Sequence, residues 1–553
     1  MREASTNDVD VLIVGGGPVG LAAAIELGHR GIRTLLVERN DRVGYSPRAK
    51  TTNVRSREHM RRWGIAEELR RVSPMPPDYP TDIVFGTRMN GHLLGRFPLA
   101  LNGSTRRNNL YSEEAQWVPQ YVVEDVLRKH ASALDSVEIR LETEYVSFSQ
   151  DESSVETIIR DVKSGQKSCI RSAYLIGADG ARSTIRSDIG ASMIGVDTFS
   201  RNFTIIFRAP DLAARHSFGK AIMYWMVNED LPSVVGPMES DGLWYLIATR
   251  LPDETDPNSD DPAGMVRKAT GLCDLAIEIV GTDLWLARRL VADKHHDRRV
   301  FLVGDACHLH PPFGGFGMNM GIGDAVDIGW KIAAKLQGWG GEHLLATYEF
   351  ERKRVHERTV AEAERNYAMV GNQLVRPHLE DTGLIGDATR EEVSDIITVT
   401  KAREFRTLGI VLGYHYSGSV IVIPDGTEPP ADDAMVYLPS AHPGCLAPHL
   451  WLSDGSSLYD HFGQGFTLLV TMGDVIDAAP LMVAADQLAI PLKLLDPKDV
   501  RLFSRYHASL ILIRPDQHVA WRGNALPSDV HKLLARVTGS LQPEAVGAGS
   551  SAI

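Results

Sequence analysis

A chain of 553 residues, 43% hydrophobic and 23% charged, has the composition of an ordinary soluble fold and the length of several domains. Its formal net charge of -13 argues against nucleic acid as a general partner, because phosphate backbones are held by basic surfaces. Cys169, Cys273, Cys307 and Cys445 are scattered without a CxxC pair, which argues against a disulfide framework or a zinc site and predicts a reducing, cytoplasmic location.

The chain opens on a strand–turn–helix–strand unit. Val11-Leu12-Ile13-Val14 is an apolar run suited to a strand buried on both faces. Gly15-x-Gly17-x-x-Gly20 follows, then a helical pattern from Leu21 to Leu27 and a second apolar strand, Thr34-Leu35-Leu36-Val37, closed by Glu38. In such a unit the first glycine permits the tight turn, the second lets a pyrophosphate approach the backbone, and the third lets helix and strand pack closely. The helix start offers free N–H groups to the phosphate, and the closing acid accepts from ribose hydroxyls. The bland alternative is a βαβ unit with no ligand. No basic stretch with a cleavage site precedes this unit, so no signal peptide is expected, and its uncharged run is too short to cross a bilayer.

Residues 54–69 read as a polar helix with few apolar anchors. Arg48, Lys50, Arg55, Arg57, Arg61, Arg62, Arg70 and Arg71 form a basic cluster there, read mostly as a solvated helix face. Prolines at 74, 76, 77, 80 and 98 mark an excursion out of the nucleotide unit, and the chain returns in a helix near 118–128. Residues 137–162 alternate in strand fashion, and Ala173 to Gly180 is a buried strand ending in Asp-Gly. Strands rich in large side chains fill 200–250. In one of them Met223 and Trp225 share a face and Tyr224 and Met226 the other. These residues and Trp244 either fill a sheet core or line a pocket for a flat apolar ligand.

A third buried strand, Val300-Phe301-Leu302-Val303, ends in Gly304-Asp305, and a glycine-rich loop, Pro311-Pro312-Phe313-Gly314-Gly315-Phe316-Gly317-Met318-Asn319, leads into a long helix. Such a loop at the carboxyl end of a strand is where an α/β sheet binds ligands. His308 and His310 invite reading as a metal pair or a base, but loop packing is the preferred reading and no metal site is expected. Pro429-Pro430-Ala431-Asp432-Asp433 marks a linker before a separate small α/β unit, and the Gly/Ser/Ala-rich tail is expected to be disordered.

Four separated signatures now stand in order: GGGPVG at 15–20, Gly177-Ala178-Asp179-Gly180, Gly304-Asp305-Ala306, and PPFGGFGMN at 311–319. Together they resemble the FAD-dependent aromatic hydroxylases, the group A flavoprotein monooxygenases with the para-hydroxybenzoate hydroxylase fold, over roughly residues 8–370. Pro443-Gly444-Cys445-Leu446-Ala447-Pro448-His449, Asp454-Gly455-Ser456 and Ile513-Arg514-Pro515-Asp516-Gln517-His518 resemble the longer phenol, dichlorophenol and polyketide hydroxylase branch. That branch implies a C-terminal thioredoxin-like domain without redox cysteines, in which the solitary Cys445 is structural or oligomerising.

The implied fold is α/β, a Rossmann-like (GR2-type) FAD-binding domain with an inserted β-sheet substrate domain and the thioredoxin-like tail. The expected division is 8–75, 111–195 and 285–375 for FAD, 76–110 and 196–284 for the substrate sheet, 376–430 as a helical connection, 431–538 as the thioredoxin-like domain and 539–553 as the tail. By the resemblance, Gly15, Gly17, Pro18, Gly20, Glu38, Arg39, Arg48 and Gln120 hold FAD from its adenosine, pyrophosphate and flavin sides. Asp179 and Gly180 belong to a segment associated with FAD and nicotinamide nucleotide, and Gly304 and Asp305 take the ribityl chain. Pro311, Pro312, Gly314, Gly315, Gly317, Met318 and Asn319 lie against the isoalloxazine, with Pro311, Gly314 and Arg48 nearest the chemistry. Phe316 stands where the wider family often has glutamine, which puts in doubt any role needing an amide there. The pocket candidates are Met223, Trp225, Met226, Trp244, Pro311 and Phe313.

The implied reaction hydroxylates a phenolic or polycyclic aromatic substrate with NADPH or NADH and O2 through a flavin C4a-hydroperoxide. The same scaffold also serves dehalogenation, Baeyer–Villiger oxidation or epoxidation, and the rival from another class is a non-catalytic flavin- or ligand-binding protein. With no second GxGxxG in the chain, the nicotinamide nucleotide is expected to bind transiently. No membrane or nucleic-acid partner is expected, and a homodimer or higher homo-oligomer stays open.

Overall fold

The computed structural model describes residues 8–41, 49–104, 106–249, 261–367, 373–472 and 477–541. Its first sheet is doubly wound. Val9–Val14 lies at the centre and pairs in parallel with Thr34–Val37 on one side and Lys167–Gly177 on the other. Val137–Arg140 and Val300–Leu302 extend the parallel run outward. All seven residues of the strands Thr34–Val37 and Val300–Leu302 are buried, as largely apolar stretches without alternation require. The carboxyl ends of Val9–Val14, Lys167–Gly177 and Val300–Leu302 therefore lie side by side, and the three glycine signatures of the sequence follow them.

Gly20 explains the tightness of the first turn: a Cβ there would lie 2.0 Å from the Gly15 carbonyl oxygen. The helix Pro18–Gly28 packs against the long helix Gly317–Gln337 through Leu21, Ile25, Ile322 and Val326, all buried.

A second sheet runs through Leu243–Ala248, Ser233–Pro237, Met223–Met226, Ile83–Gly86 and Leu93–Phe97, and joins the long pair Met193–Arg208 and Glu278–Ala292. Ile83–Gly86 of the proline-marked excursion pairs directly with Met223–Met226, and Leu93–Phe97 pairs with Ile83–Gly86 in turn, so the excursion belongs to this sheet. The helix Leu384–Phe405 lies against it, burying Val393, Ile397 and Phe405 beside Phe85 and Trp225. A stretch expected to be mere connection thus forms a wall of the substrate sheet.

The thioredoxin-like unit carries a four-stranded sheet built on Phe466–Val470, with Leu492–Leu495 parallel to it and Leu510–Ile513 antiparallel. Phe466, Leu468 and Leu534 pack onto Trp330 and Trp339 at the end of Gly317–Gln337. Beside this apolar contact lies a buried ionic one. Arg514 reaches Glu351 at 2.7 Å and Asp516 at 2.7 Å, and Lys331 reaches Asp327 and Glu351 at 2.7 Å each.

The basic cluster departs from expectation. Arg71 is exposed, but Arg57 is 1% exposed and pairs with Glu113, and Arg55 is buried on Glu58, the Gln517 side chain and the Asp516 carbonyl. The polar helix is in fact two, Val54–Arg62 and Ala66–Val72, and the first is buried through most of its length because each buried cation meets an acid or carbonyl. Cys169, Cys273, Cys307 and Cys445 are free thiols, and no described helix is long and apolar enough to cross a membrane.

Candidate active site

The nucleotide end is built from backbone. Gly17 caps the helix Pro18–Gly28 without a side-chain hydrogen bond, and nothing lies within 4 Å of the place its Cβ would take. This is the open cradle a pyrophosphate needs, with the N–H groups and positive dipole end of the helix facing it. Glu38 accepts from Gly16 N at 2.7 Å and Asn40 N at 2.9 Å, which fixes its carboxylate at the rim of the cradle, while Arg39 is exposed beside it. Asp179 accepts from Thr184 N at 2.8 Å and Ile185 N at 3.2 Å. It therefore takes the first two N–H groups of the short helix Thr184–Asp188, whose cap is Ser183, and Gly180 beside it has φ +79°. Arg48 lies outside the described residues.

The Gly304-Asp305 turn is organised by Asp324. Its Oδ1 accepts from Arg352 Nε at 2.8 Å and pairs with His356 Nε2 at 2.7 Å. Its Oδ2 accepts from Gly304 N at 3.1 Å and pairs with His308 Nε2 at 3.0 Å. One carboxylate thus anchors the Gly304-Asp305 turn to two helices. Burial raises its carboxyl, but His356 and Arg352 outweigh this and hold it well below the usual range, while burial brings His356 down to about 3. Cys307, His308, Asp324 and His356 converge within 4.8 Å. Both Asp324 oxygens are already taken, however, and the Arg352 cation neutralises the site without a divalent ion. His310 turns its Nδ1 to the Pro311 carbonyl at 2.8 Å, a loop-packing role.

The glycine loop is clamped by Asn319. Its Nδ2 donates to Thr51 O at 2.9 Å and Gly315 O at 2.7 Å, and its Oδ1 accepts from Asn53 N at 2.9 Å. Gly314 and Gly315 have φ +86° and +67°, conformations few side chains adopt. Phe316 turns away from the loop's open side into an apolar cluster with Val54, Tyr111 and Val411, so the residue replacing the family's glutamine serves packing. The helix Gly317–Gln337 begins without a side-chain cap, leaving a second N-terminus with free N–H groups. Gln120 accepts from Ala49 N at 3.1 Å and donates to Glu124 at 2.7 Å, which holds the 49–51 segment against the loop. Removing the Asn319 amide is expected to free this loop. Asn319→Ala should lower stability by about 1–3 kcal/mol through three lost or orphaned hydrogen bonds, read as an earlier thermal release of flavin fluorescence.

A cavity opens between this loop and the second sheet. Pro312, Phe313, Gly314 and Gly315 form one side, Met223, Trp225, Val234, Tyr245 and Ile247 the floor, and Lys50, Thr51, Trp117, Trp285, Glu404 and Phe405 the remaining wall. Of the sequence candidates, Met223, Trp225 and Phe313 line the cavity, and Pro311 is buried outside its lining. Met226 and Trp244 do not line it: they lie on the opposite face, packed with Phe207, Tyr224 and Leu246. The two-residue strand period sends them away from the cavity. Lys50, Trp117, Tyr245, Trp285, Glu404 and Phe405 were missed. Only the four-residue spacing of Val393, Ile397, Lys401 and Phe405 pointed to a helix face seated on the sheet. Glu404 is tied to Lys401 at 2.8 Å, and Lys401 Nζ lies 4.3 Å over the Trp225 ring. Burial pushes the Glu404 carboxyl up, against the pull of Lys401. A larger cleft of about 420 Å³ lies beyond Trp117, between the 73–81 segment and residues 99–104. It holds none of the glycine-loop residues, whereas the smaller cavity is lined by Pro312, Phe313, Gly314 and Gly315.

Comparison with known proteins agrees with this geometry. Residues 8–363 match the FAD binding domain family, and residues 440–540 match the aromatic-ring hydroxylase C-terminal family. A 4-methyl-5-nitrocatechol 5-monooxygenase from Burkholderia sp is 31% identical over 94% of this chain and 95% of its own. Among solved structures, the rebeccamycin biosynthetic enzyme RebC with reduced flavin aligns with TM-score 0.89 at 34% identity, covering 96% of this chain and 99% of that one. The flavin-dependent monooxygenase PieE, in complex with FAD and substrate, aligns with TM-score 0.88 at 28% identity over 96% of this chain and 99% of its own.

Proposed function

The chain belongs to the FAD-dependent aromatic-ring hydroxylases, monooxygenases that use FAD with NAD(P)H and O2, and from that premise we propose how its own residues divide the work. FAD, when bound, supplies hydride acceptance from NAD(P)H and oxygen activation. The uncapped helix Pro18–Gly28 and Glu38 hold the adenosine diphosphate end, Asp305 takes the ribityl hydroxyls, and residues 311–319 present backbone to the ring system. The substrate ring lies between Trp225, Tyr245 and Phe313 with its reacting edge toward Gly314 and Gly315.

One observation carries this reading: an aromatic-walled cavity ends on the same glycine loop that opens an uncapped helix. The apolar walls exclude water and fix the ring, which is what selective oxygen transfer asks of a protein. The substrate class proposed is a phenol, simple or fused. The divisions 8–75, 111–195 and 285–375 for FAD and 76–110 with 196–284 for substrate follow the same reading, extended by the helix Leu384–Phe405 as a third wall. Two exposed thiols, Cys169 and Cys273, suit a reducing cytoplasm.

The deciding experiment is anaerobic flavin reduction by NADPH and by NADH, with and without a panel of simple and polycyclic phenols. Acceleration by one phenol class supports the phenol reading, and fast reduction indifferent to every phenol removes it. Asp305→Ala is expected to purify with little FAD, its affinity lowered roughly ten- to hundredfold by loss of charge-assisted hydrogen bonds. Full flavin occupancy in that variant overturns the role given to Asp305.

A further inference from the structure

Resting on the phenol reading, we propose that Lys50 is the group that holds the substrate as its phenolate, with the Tyr245 hydroxyl donating a second hydrogen bond to the same oxygen.

Position comes first. Lys50 is 9% exposed and sits in the wall of the cavity. Its backbone is fixed from both sides: Val118 N donates to Lys50 O at 2.8 Å, Gln120 N donates to Ala49 O at 3.0 Å, and Thr51 pairs with Trp117. Thr51 in turn abuts the glycine loop, where a Cβ on Gly315 would lie 3.1 Å from the Thr51 Cβ. The ammonium is thereby delivered to the reacting end of the cavity by a segment whose main chain cannot drift.

The second observation is Tyr245. Its ring lies under the Lys50 Nζ at 4.2 Å, and its hydroxyl is buried without a hydrogen-bond partner among the described residues. A buried hydroxyl left so is unfavourable, and a small side-chain adjustment toward a ligand oxygen in the cavity would satisfy it. A cation and a phenolic donor converging on an aromatic cavity form a site for an aromatic anion. Among the described residues, Glu404, the carboxylate in the cavity wall, is held by Lys401 at 2.8 Å. Burial brings the Lys50 ammonium down to about 8, so amine and ammonium are both within reach near neutral pH.

The chemistry balances as a proton transfer alone. When Lys50 arrives as the amine, the phenol O–H bond breaks, an N–H bond forms on Nζ, and a phenolate–ammonium pair results. When Lys50 arrives charged, it selects the phenolate from solution and the same pair forms. In either case the oxygen electron pair is released into the ring, raising its nucleophilicity at the carbons that hydroxylation attacks. The substrate class narrows accordingly to phenols with a free hydroxyl, and their methyl ethers are rejected.

The test uses FAD-loaded wild type, Lys50→Met, Lys50→Arg and Tyr245→Phe, with 4-nitrophenol and its methyl ether 4-nitroanisole as probes. At a pH where free 4-nitrophenol is colourless, wild type is expected to bind it as the yellow phenolate and to prefer it over the ether roughly ten- to hundredfold, the range of a charge-assisted hydrogen bond. Lys50→Met should bind the phenol colourless with that preference lost, Lys50→Arg should keep the yellow form, and Tyr245→Phe should lose part of the preference. A purely structural role for Lys50 predicts the same bound colour in wild type and Lys50→Met, and that result overturns the proposal. Failure of the wild-type cavity to bind either probe sinks the phenol reading on which the proposal rests.

Discussion

Arg514→Met is expected to loosen the thioredoxin-like unit from the nucleotide domain at a cost of about 3–5 kcal/mol, the range for breaking a buried ion pair from one side. Methionine keeps much of the aliphatic stem, so the loss falls on the guanidinium. In the native protein Arg514 and Lys331 face three carboxylates, those of Asp327, Glu351 and Asp516, all buried. The imbalance already shows: burial and Glu351 push Asp327 up to about 7, whereas Glu351, raised by burial, is brought down to about 2 by Arg514 and Lys331. Without Arg514 the three acids share one cation.

Thermal unfolding with intrinsic fluorescence should show an earlier, separate transition for the C-terminal unit, and protease should cut near the 424–433 segment sooner. A double variant, Arg514→Met with Glu351→Gln, should recover part of the loss, because it removes a charge left stranded. Equal melting of wild type and Arg514→Met would show that the apolar seam of Trp330, Trp339 and Phe466 holds the unit without the ions. The pH dependence has two opposed parts: the raised Asp327 carboxyl gives a share that is lost as pH rises toward about 7, and Glu351 gives one of the other sign. The folded Glu351 carboxyl lies below its ordinary value of 4.5. Its stabilising share is therefore present above pH 4.5 and disappears as pH falls toward about 2.

What the sequence disclosed and what it hid divide by the range of the interaction. The glycine turn, the three buried strands and the Gly304-Asp305 turn are local patterns, each written in fewer than about twenty consecutive residues, and the sheet order follows from them. The loop at 311–319 was legible for the same reason. Facing was not. Met226 and Trp244 looked like pocket residues because a strand with large side chains on both faces gives no polar side by which to orient it. The buried arginines looked solvated because their partners are remote: Gln517 lies 462 residues from Arg55, and Glu113 lies 56 from Arg57. Lys50 belonged to the same misread cluster, and only its burial against Tyr245 separates it from the surface cations. The Leu384–Phe405 helix passed for a connection since its stripe of Val393, Ile397 and Phe405 is interrupted by Lys401. The structure explains that interruption, as the lysine lies over Trp225 and pairs with Glu404.

Asp324→Asn is expected to be as damaging as the loss of Arg514 and to act on cofactor retention as well. The carboxylate accepts from a backbone N–H and an arginine and pairs with two histidines. An amide has one acceptor oxygen, so its NH2 must face either Arg352 and His356 or Gly304 and His308. The first arrangement leaves Arg352 as a buried cation with a single remaining neutral contact at each end, Tyr416 OH at 3.0 Å and Met320 O at 3.2 Å. The second pushes the Gly304 N–H off its anchor, and with it the turn that carries Asp305. Either way about 3–5 kcal/mol is lost, and flavin should be released at a lower temperature than the protein's secondary structure melts. Adding Arg352→Met should restore part of the global stability, by removing the stranded cation, without restoring the anchor of the Gly304-Asp305 turn, so flavin release should stay early. The same experiment separates the ionic reading of this cluster from a metal reading. If Cys307, His308, Asp324 and His356 were ligands, a strong chelator would reproduce the Asp324→Asn melt in wild type. The geometry predicts that chelation leaves both melting and flavin release unchanged, since Arg352 already supplies the positive charge that Asp324 requires.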